Sequence, residues 1–278
     1  MKKGKKMEVI KNFKDKPQDN TIYVNPEKSF LKVGSKVYFG GKNNILYVED
    51  GAEFHGCDLY FRGNNSVIYI SKSRNPYFLY MEIFSDSVFF MGSDSYIKKP
   101  VSFIAGERKN IIFGNNCLIS SGTAIRTADP HLIYDMETNR RINPGKSVYI
   151  GDHVWLGRNT LVFKGTKIGS GSVIGGGSVV PNKKIPSNVI AAGNPARVIK
   201  KGIFYSGECT DPWSEEMTEK YMVMDTDKYK FNLSEETIDI DILDQKLQKA
   251  KDSRERFNVI LSDITANKNK NRFFIGFE

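Results

Sequence analysis

Residues 148–180 read VYIGDHVWLGRNTLVFKGTKIGSGSVIGGGSVV. Aliphatic residues return at every sixth position: Ile150, Leu156, Val162, Ile168, Ile174 and Val180. Two places before each stands a small or β-branched residue: Val148, Val154, Thr160, Thr166, Ser172 and Ser178. Glycine follows the aliphatic residue at Gly151, Gly157, Gly169 and Gly175. A fixed short period punctuated by glycine marks a coiled parallel β-solenoid. One large apolar residue in six fills a narrow column. The small residue fits the corner, and the glycine permits the turn.

The same spacing holds upstream at Phe113, Ile119 and Ile125, breaks, and resumes at Ile150. The break, Thr127 to Lys146, contains Pro130, Pro144 and a histidine. It reads as a loop that leaves the solenoid between two coils, and such loops often carry function. Before Phe113, short runs such as Ile45–Val48, Leu59–Phe61, Val67–Ile70 and Val88–Met91 have strand composition. Asparagines at 43–44, 64–65 and 115–116 suit left-handed corners. Residues 21–202 are therefore expected to form one β-helix, wide and distorted at its N-terminal end. Residues 1–20 read as a basic, mobile arm.

Residues 203–278 turn acidic and are expected to form a mostly helical extension. Asp211–Pro212 is a cap-and-start pair for a helix reaching about Met222. A second helix is expected from Ile242 to Ile264. Its apolar stripe is Leu243, Leu247, Ala250, Arg254, Phe257, Leu261 and Ile264. That stripe suits either the chain's own solenoid or a neighbouring subunit.

The 278 residues carry a net charge of +9, of which +4 lies in residues 1–20, +8 in 21–199 and −3 in 200–278. A basic body calls for an anionic partner. No nucleic-acid-binding motif is present, and no nucleic acid is expected as partner. No apolar run is long enough to cross a bilayer, and no secretory signal is visible. Three scattered cysteines, Cys57, Cys117 and Cys209, point to reduced thiols and a cytoplasmic protein. The Glu53–Cys57 stretch has a histidine and a cysteine at metal-like spacing, but nothing completes a ligand set, so no metal is expected.

The stretch from Val148 to Lys201 resembles the hexapeptide-repeat acyltransferases. Two segments sharpen that resemblance. Ile190–Lys200, with its core Gly193-Asn194-Pro195-Ala196-Arg197, looks like the family's coenzyme A exit motif. Ile125–His131, Arg141–Lys146 and Gly151–Asn159 resemble the capsule O-acetyltransferases, including those acting on polysialic acid. The resemblance covers about residues 35–205 and is strongest from 113 to 201. It implies a left-handed coil, against the usual right-handed crossover. It also implies a homotrimer and an acetyl-CoA-dependent O-acetyltransferase acting on a bacterial surface glycan. The most plausible acceptor is a sialic-acid-containing capsule or lipopolysaccharide. Such an enzyme has reason to meet the inner membrane surface peripherally. Two other functions stay open at this point: acetylation of a small molecule, and a noncatalytic glycan-binding scaffold.

Acetyl transfer to a hydroxyl needs a base with a pKa near neutrality. There are three histidines. His131 stands in the loop, 24 residues before Trp155, the spacing seen in relatives that use a loop histidine. It is the candidate base, with His153 second. Trp155 falls on an outward position and is a candidate wall of the site, its indole N–H able to hold an oxyanion or acceptor oxygen. Gly175, Gly176, Gly177 and Ser178 could give a pantetheine arm access to backbone. Lys183, Lys184, Arg197, Lys200 and Lys201 are candidates for the cofactor phosphates. Arg126, Tyr134, Arg140, Arg141 and Lys146, on or beside the loop, are candidates for the glycan.

Overall fold

Every register residue of the 148–180 stretch is buried, with 1% exposure or less from Val148 through Val180. The computed structural model, which describes residues 7–277, winds them into a parallel β-helix. Two faces are eight-stranded sheets and the third is a six-stranded sheet, continued at the N-terminal end by a two-stranded one. The first sheet runs from Glu8–Ile10 to Val179–Val180 and the second from Thr21–Tyr23 to Lys184–Ile185. The third runs from Tyr96–Ile97 to the closing hairpin Val189–Gly193/Ala196–Lys201. Among the described strands, only that hairpin and the first strand, Glu8–Ile10, pair antiparallel. What reads as a basic arm therefore contributes, over its described part, a strand paired to Lys36–Phe39. Residues 1–6 of that arm lie outside the described residues.

The coil has two gauges. Lys36, Asp58, Tyr80, Ser102 and Ala124 stack at 22-residue steps. After the loop, Leu161 and Val179 stack at an 18-residue step. The wide N-terminal coils are the 22-residue rungs.

The glycines after each aliphatic residue serve a purpose different from the expected turn. A Cβ on Gly151 would lie 2.6 Å from Ser170 N, and one on Gly157 2.5 Å from Gly176 N. These glycines let the next rung approach to ladder spacing. The corner that needs left-handed backbone comes two residues later, at His153, Asn159, Gly165, Gly171 and Gly177, with φ between 53° and 77°. The buried corner hydroxyls are all bonded: Thr160 Oγ1 donates to Gly157 O (2.7 Å), Thr166 Oγ1 to Val180 O (2.8 Å) and Ser172 Oγ to Pro186 O (2.6 Å).

Strands of the first sheet alternate buried and half-buried residues, as in Asp58–Phe61. Those of the second sheet, Val67–Ile70 and Val88–Met91, are buried throughout. The C-terminal extension covers this face. The sequence stripe is not one helix. It divides into α2 (Ile240–Lys249), α3 (Ser253–Val259) and a π-helical turn, Ile260–Thr265. The break follows from Ala250, in extended backbone, and from Asp252, whose carboxylate caps α3 by accepting from Glu255 N. Leu243, Leu247, Phe257, Ile260 and Ile264 pack on Val67, Tyr69, Phe90, Ile112 and Tyr149 of the same chain. Arg254 and Leu261 of the expected stripe are exposed; the buried arginine of these helices is Arg256, 1% exposed and paired with Asp86 at 3.3 Å. The earlier helix, α1 (Glu215–Lys220), starts later than the Asp211–Pro212 pair indicates, because Ser214 is its cap. Irregular backbone joins these helices over the rest of 203–277.

A second ion pair, buried on both sides, ties the extension to the solenoid. Arg272 Nε and Nη2 donate to the two oxygens of Asp152 at 3.0 and 2.8 Å. Arg272 Nη1 donates to the carbonyls of Ile264 and Asn267, and Asp152 also accepts from Asn115 N at 2.6 Å. Removing one partner leaves the other charge buried and unpaired. Arg272→Ala is therefore expected to cost about 3–5 kcal/mol, read as a lower denaturation midpoint in urea.

Candidate active site

The loop 127–146 leaves the corner between the first and second sheets, after Ala124–Arg126 and before Val148–Ile150. Its neck is closed by Lys146 N to Thr127 O at 2.9 Å, and by Thr127 Oγ1, which donates to Gly106 O and accepts from Gly106 N. Above the neck, Asn143 is the hub. Its amide donates to Asp129 (2.9 Å) and to the carbonyl of His131 (2.8 Å), while its side-chain oxygen accepts from Ile133 N. Lys164, one rung below, donates to Asp129 (2.5 Å) and to Asn143 O (3.0 Å). Hydrogen bonding from Lys164 holds the Asp129 carboxyl below its usual range. Arg141 makes a two-pronged ion pair with Glu107, which also accepts from Gly145 N. Arg141 is thus a brace of the loop.

The backbone of His131 is fixed, and its ring is exposed with no hydrogen bond to any described residue. The two carboxylates nearest in sequence are engaged elsewhere, Asp129 as above and Asp135 with Thr138. The tip of the loop presents Leu132, Ile133, Tyr134, Met136 and Ile142 to solvent.

Trp155 lies on a different edge. It projects from the third sheet, 38% exposed, with Nε1 donating to Ser120 Oγ at 3.4 Å. The pairings Trp155↔Val173, Val173↔Ile190 and Ile190↔Lys200 place these four residues in one column. Lys200 stands three ladder steps from the indole, about 14 Å at sheet spacing. A pantetheine arm can bridge that span. Arg197 is exposed on the same closing hairpin. Lys184 belongs instead to the second sheet, across an edge, and Lys183 precedes it there. Gly176 is exposed on the corner beside the column. Ser178 is not available: its hydroxyl is buried inside the corner and accepts from Gly193 N at 3.1 Å.

Comparison with known proteins fits this geometry. Residues 147–181 match the family described as "Hexapeptide repeat of succinyl-transferase". The polysialic acid O-acetyltransferase of Escherichia coli O1:K1 is 38% identical over 130 residues, 45% of this chain and 42% of that protein. The polysialic acid O-acetyltransferase of Neisseria meningitidis is 30% identical over 48% of this chain and 61% of its own length. The matched stretch thus spans about half the length of these curated relatives. The crystal structure of the polySia specific acetyltransferase NeuO is 31% identical, with a TM-score of 0.62. Its alignment covers 73% of this chain and 93% of NeuO. The chain belongs to the hexapeptide-repeat acetyltransferases.

The structure does not present His153 as a second base. The residue is outward in register but 7% exposed, because Tyr205 and Tyr229 stack on its two faces at 4.1 and 4.5 Å. Its Nε2–H donates to the Tyr205 carbonyl at 2.9 Å. The cysteines offer no nucleophile in the core. Burial pushes the Cys57 thiol up to about 11 and that of Cys117 to about 12, so both stay protonated. Arg140 and Tyr134 are exposed on the loop, and Lys146 donates to Asn182. Arg126 holds the outer face of the first sheet below the loop, its Nε buried without a partner. Sequence reading did not find Asn143, Lys164 or Glu107, because their partners are fixed only by the coil.

Burial lowers the His153 pKa below its ordinary 6.5. The unfolded chain therefore binds that proton more readily, and folding stability falls as pH drops below about 6.5 toward the lowered value. His153→Asn tolerates the left-handed backbone and removes the titrating ring. Denaturation midpoints measured between about pH 7.5 and 5.5 are expected to fall less steeply in His153→Asn than in the parent. Equal slopes would show that burial of the His153 ring does not drive the loss.

Proposed function

We propose that this chain is an acetyl-CoA-dependent O-acetyltransferase whose acceptor is a hydroxyl of a sialic-acid-containing surface glycan. The observation that carries the reading is the separation of two incomplete half-sites on one protomer. His131 stands on one edge with a free ring and an exposed apolar loop tip, and Trp155 heads the column that ends in Lys200 on another. Bringing the loop of one subunit over the third sheet of the next completes a site and covers both surfaces. A homotrimer does this around a threefold axis. The C-terminal helices leave the outer faces of the first and third sheets free for it.

In that arrangement acetyl-CoA lies along the column, its phosphates toward Arg197 and Lys200, its thioester beside Trp155. His131 takes the proton of the acceptor hydroxyl as the oxygen attacks the thioester carbonyl. Backbone N–H groups and the indole N–H hold the oxyanion. The intermediate collapses, the C–S bond breaks, and the thiolate leaves with the proton carried by the imidazolium. Holding both substrates in one groove supplies much of the acceleration. The resemblance to the polysialic acid enzymes supports the acceptor class, as does the +8 body. Arg126, Arg140 and Lys146 are its candidate contacts. No described helix is long and apolar enough to cross a membrane. We place the enzyme in the cytoplasm, where acetyl-CoA is supplied, with peripheral access to the inner membrane surface.

His131→Ala is expected to fold and bind coenzyme A while kcat falls by about 10²–10⁴. Neither His131→Ala nor Trp155→Ala is expected to turn over well alone. Co-expressing them assembles mixed trimers in which some sites regain both residues, so activity returns. No recovery in mixed trimers sinks the shared site. Transfer to polysialic acid is expected to weaken steeply as ionic strength rises, since the screening length shrinks to about 8 Å at 0.15 M. A neutral glycan acetylated faster, without salt dependence, overturns the acceptor assignment.

A further inference from the structure

We propose that Tyr205 is a positioning residue for acyl transfer: its ring, mounted on His153, sets the orientation of Trp155. The proposal rests on the reading of Trp155 as a wall of the site.

Trp155 sits on a two-residue strand, Trp155–Leu156, and is 38% exposed. A half-exposed indole there has rotamers to choose from. Two contacts restrict it. Ser120 Oγ accepts from Nε1, and the Tyr205 ring lies 5.8 Å from the indole at 47°. Tyr205 is itself held in two ways. Its ring is nearly parallel to His153, at 4.1 Å and 5°, and its carbonyl accepts the His153 Nε2–H at 2.9 Å. His153 is fixed by its left-handed corner and by Tyr229 on its other face, at 4.5 Å and 11°. Four rings, Tyr229, His153, Tyr205 and Trp155, thus run from the C-terminal extension to the site.

The hydroxyl of Tyr205 is buried and has no hydrogen-bond partner. The position therefore uses the ring and makes no visible use of the oxygen. The surrounding chain also needs explaining. Residues 206–230 contain no buried side chain. This excursion leaves through Tyr205 and returns through Tyr229, so the His153 sandwich is its neck. A mere anchor for it could sit anywhere on the solenoid, but this one is built against Trp155. A misplacement of about 1 Å at a reacting group can cost on the order of 10²-fold in rate, so a ring that holds the indole in one rotamer has a measurable effect.

The test uses the full chain in a Trp213→Phe background, so that Trp155 is the one remaining tryptophan. Transfer from acetyl-CoA to polysialic acid and the anisotropy of Trp155 emission are measured for Tyr205→Ala and Tyr205→Phe. The alanine variant is expected to lose about tenfold or more in kcat and to lower the anisotropy. The phenylalanine variant is expected to keep both near parental values. Because Tyr205 acts through Trp155, the double variant Trp155→Ala/Tyr205→Ala is expected to be no slower than Trp155→Ala alone. If Tyr205→Ala unfolds, Tyr205→Leu takes its place, with the same expected losses. Parental kcat and anisotropy in the alanine or leucine variant overturn the proposal, as do additive losses in the double variant. A slow Trp155→Ala beside a fast Tyr205→Ala sinks the positioning role alone. A fully active Trp155→Ala sinks the reading of the site beneath it.

Discussion

Successive rungs must come within hydrogen-bonding reach of each other along their whole circumference, about 4.8 Å apart. That approach governs this molecule. It explains why glycine follows the inward aliphatic residue, where the next rung's backbone leaves no room for a Cβ. It explains why each corner bends at a residue in left-handed conformation two places later. It also forces side chains into columns, because a residue on one rung lies directly over its counterpart on the next. Trp155, Val173, Ile190 and Lys200 are such a column. The groove proposed for the cofactor is a by-product of the stacking rule. The loop is compatible with the same rule, since it departs and returns at one corner, closed by Thr127 and Lys146.

A solenoid has a small interior, and this one adds a second apolar layer. The helices of the extension lie on the second sheet, so its central strands are buried on both sides. Polar groups trapped between the layers are largely matched, Arg256 Nε being without a hydrogen-bond partner. Asp244 accepts from Tyr149 (2.7 Å), Asn110 (3.0 Å) and Gln248 (2.5 Å), and Asp152 takes both prongs of Arg272. Covering one face also decides which surfaces would remain for the proposed subunit contacts.

The register of the 18-residue coils was legible because each inward position is decided by residues three to six places away. The strands covered on both sides were legible too, though the signal is easily passed over. Val67–Ile70 and Val88–Met91 are apolar without alternation, which marks burial of both faces. The helical stripe from 242 to 264 was correct at Leu243, Leu247, Ala250, Phe257 and Ile264, and wrong at Arg254 and Leu261, which are exposed while Arg256 and Ile260 are buried. It was wrong in its continuity because Asp252 prefers to cap a new helix. The candidate site was legible in its types and not in its contacts. Arg141 reads as a free loop cation, but its partner Glu107 lies 34 residues back and is brought near by the rung above. His153 reads as exposed, but the carbonyl that holds it is 52 residues ahead. Pairings of that length depend on the number of residues per coil, which changes from 22 to 18 along this chain.

The Asp152–Arg272 pair spans 120 residues. A β-helix can in principle assemble on the ribosome, each finished rung templating the next as it emerges. Asp152 closes its rung early, yet its counter-ion has still to be translated. Until it arrives, a carboxylate faces the space where the second layer will settle. The middle of the solenoid thus waits on the late part of the chain, and a polypeptide released before residue 272 keeps an unneutralised charge at its centre. Cellular proteases that sample opened chains would meet such fragments in their weakest state.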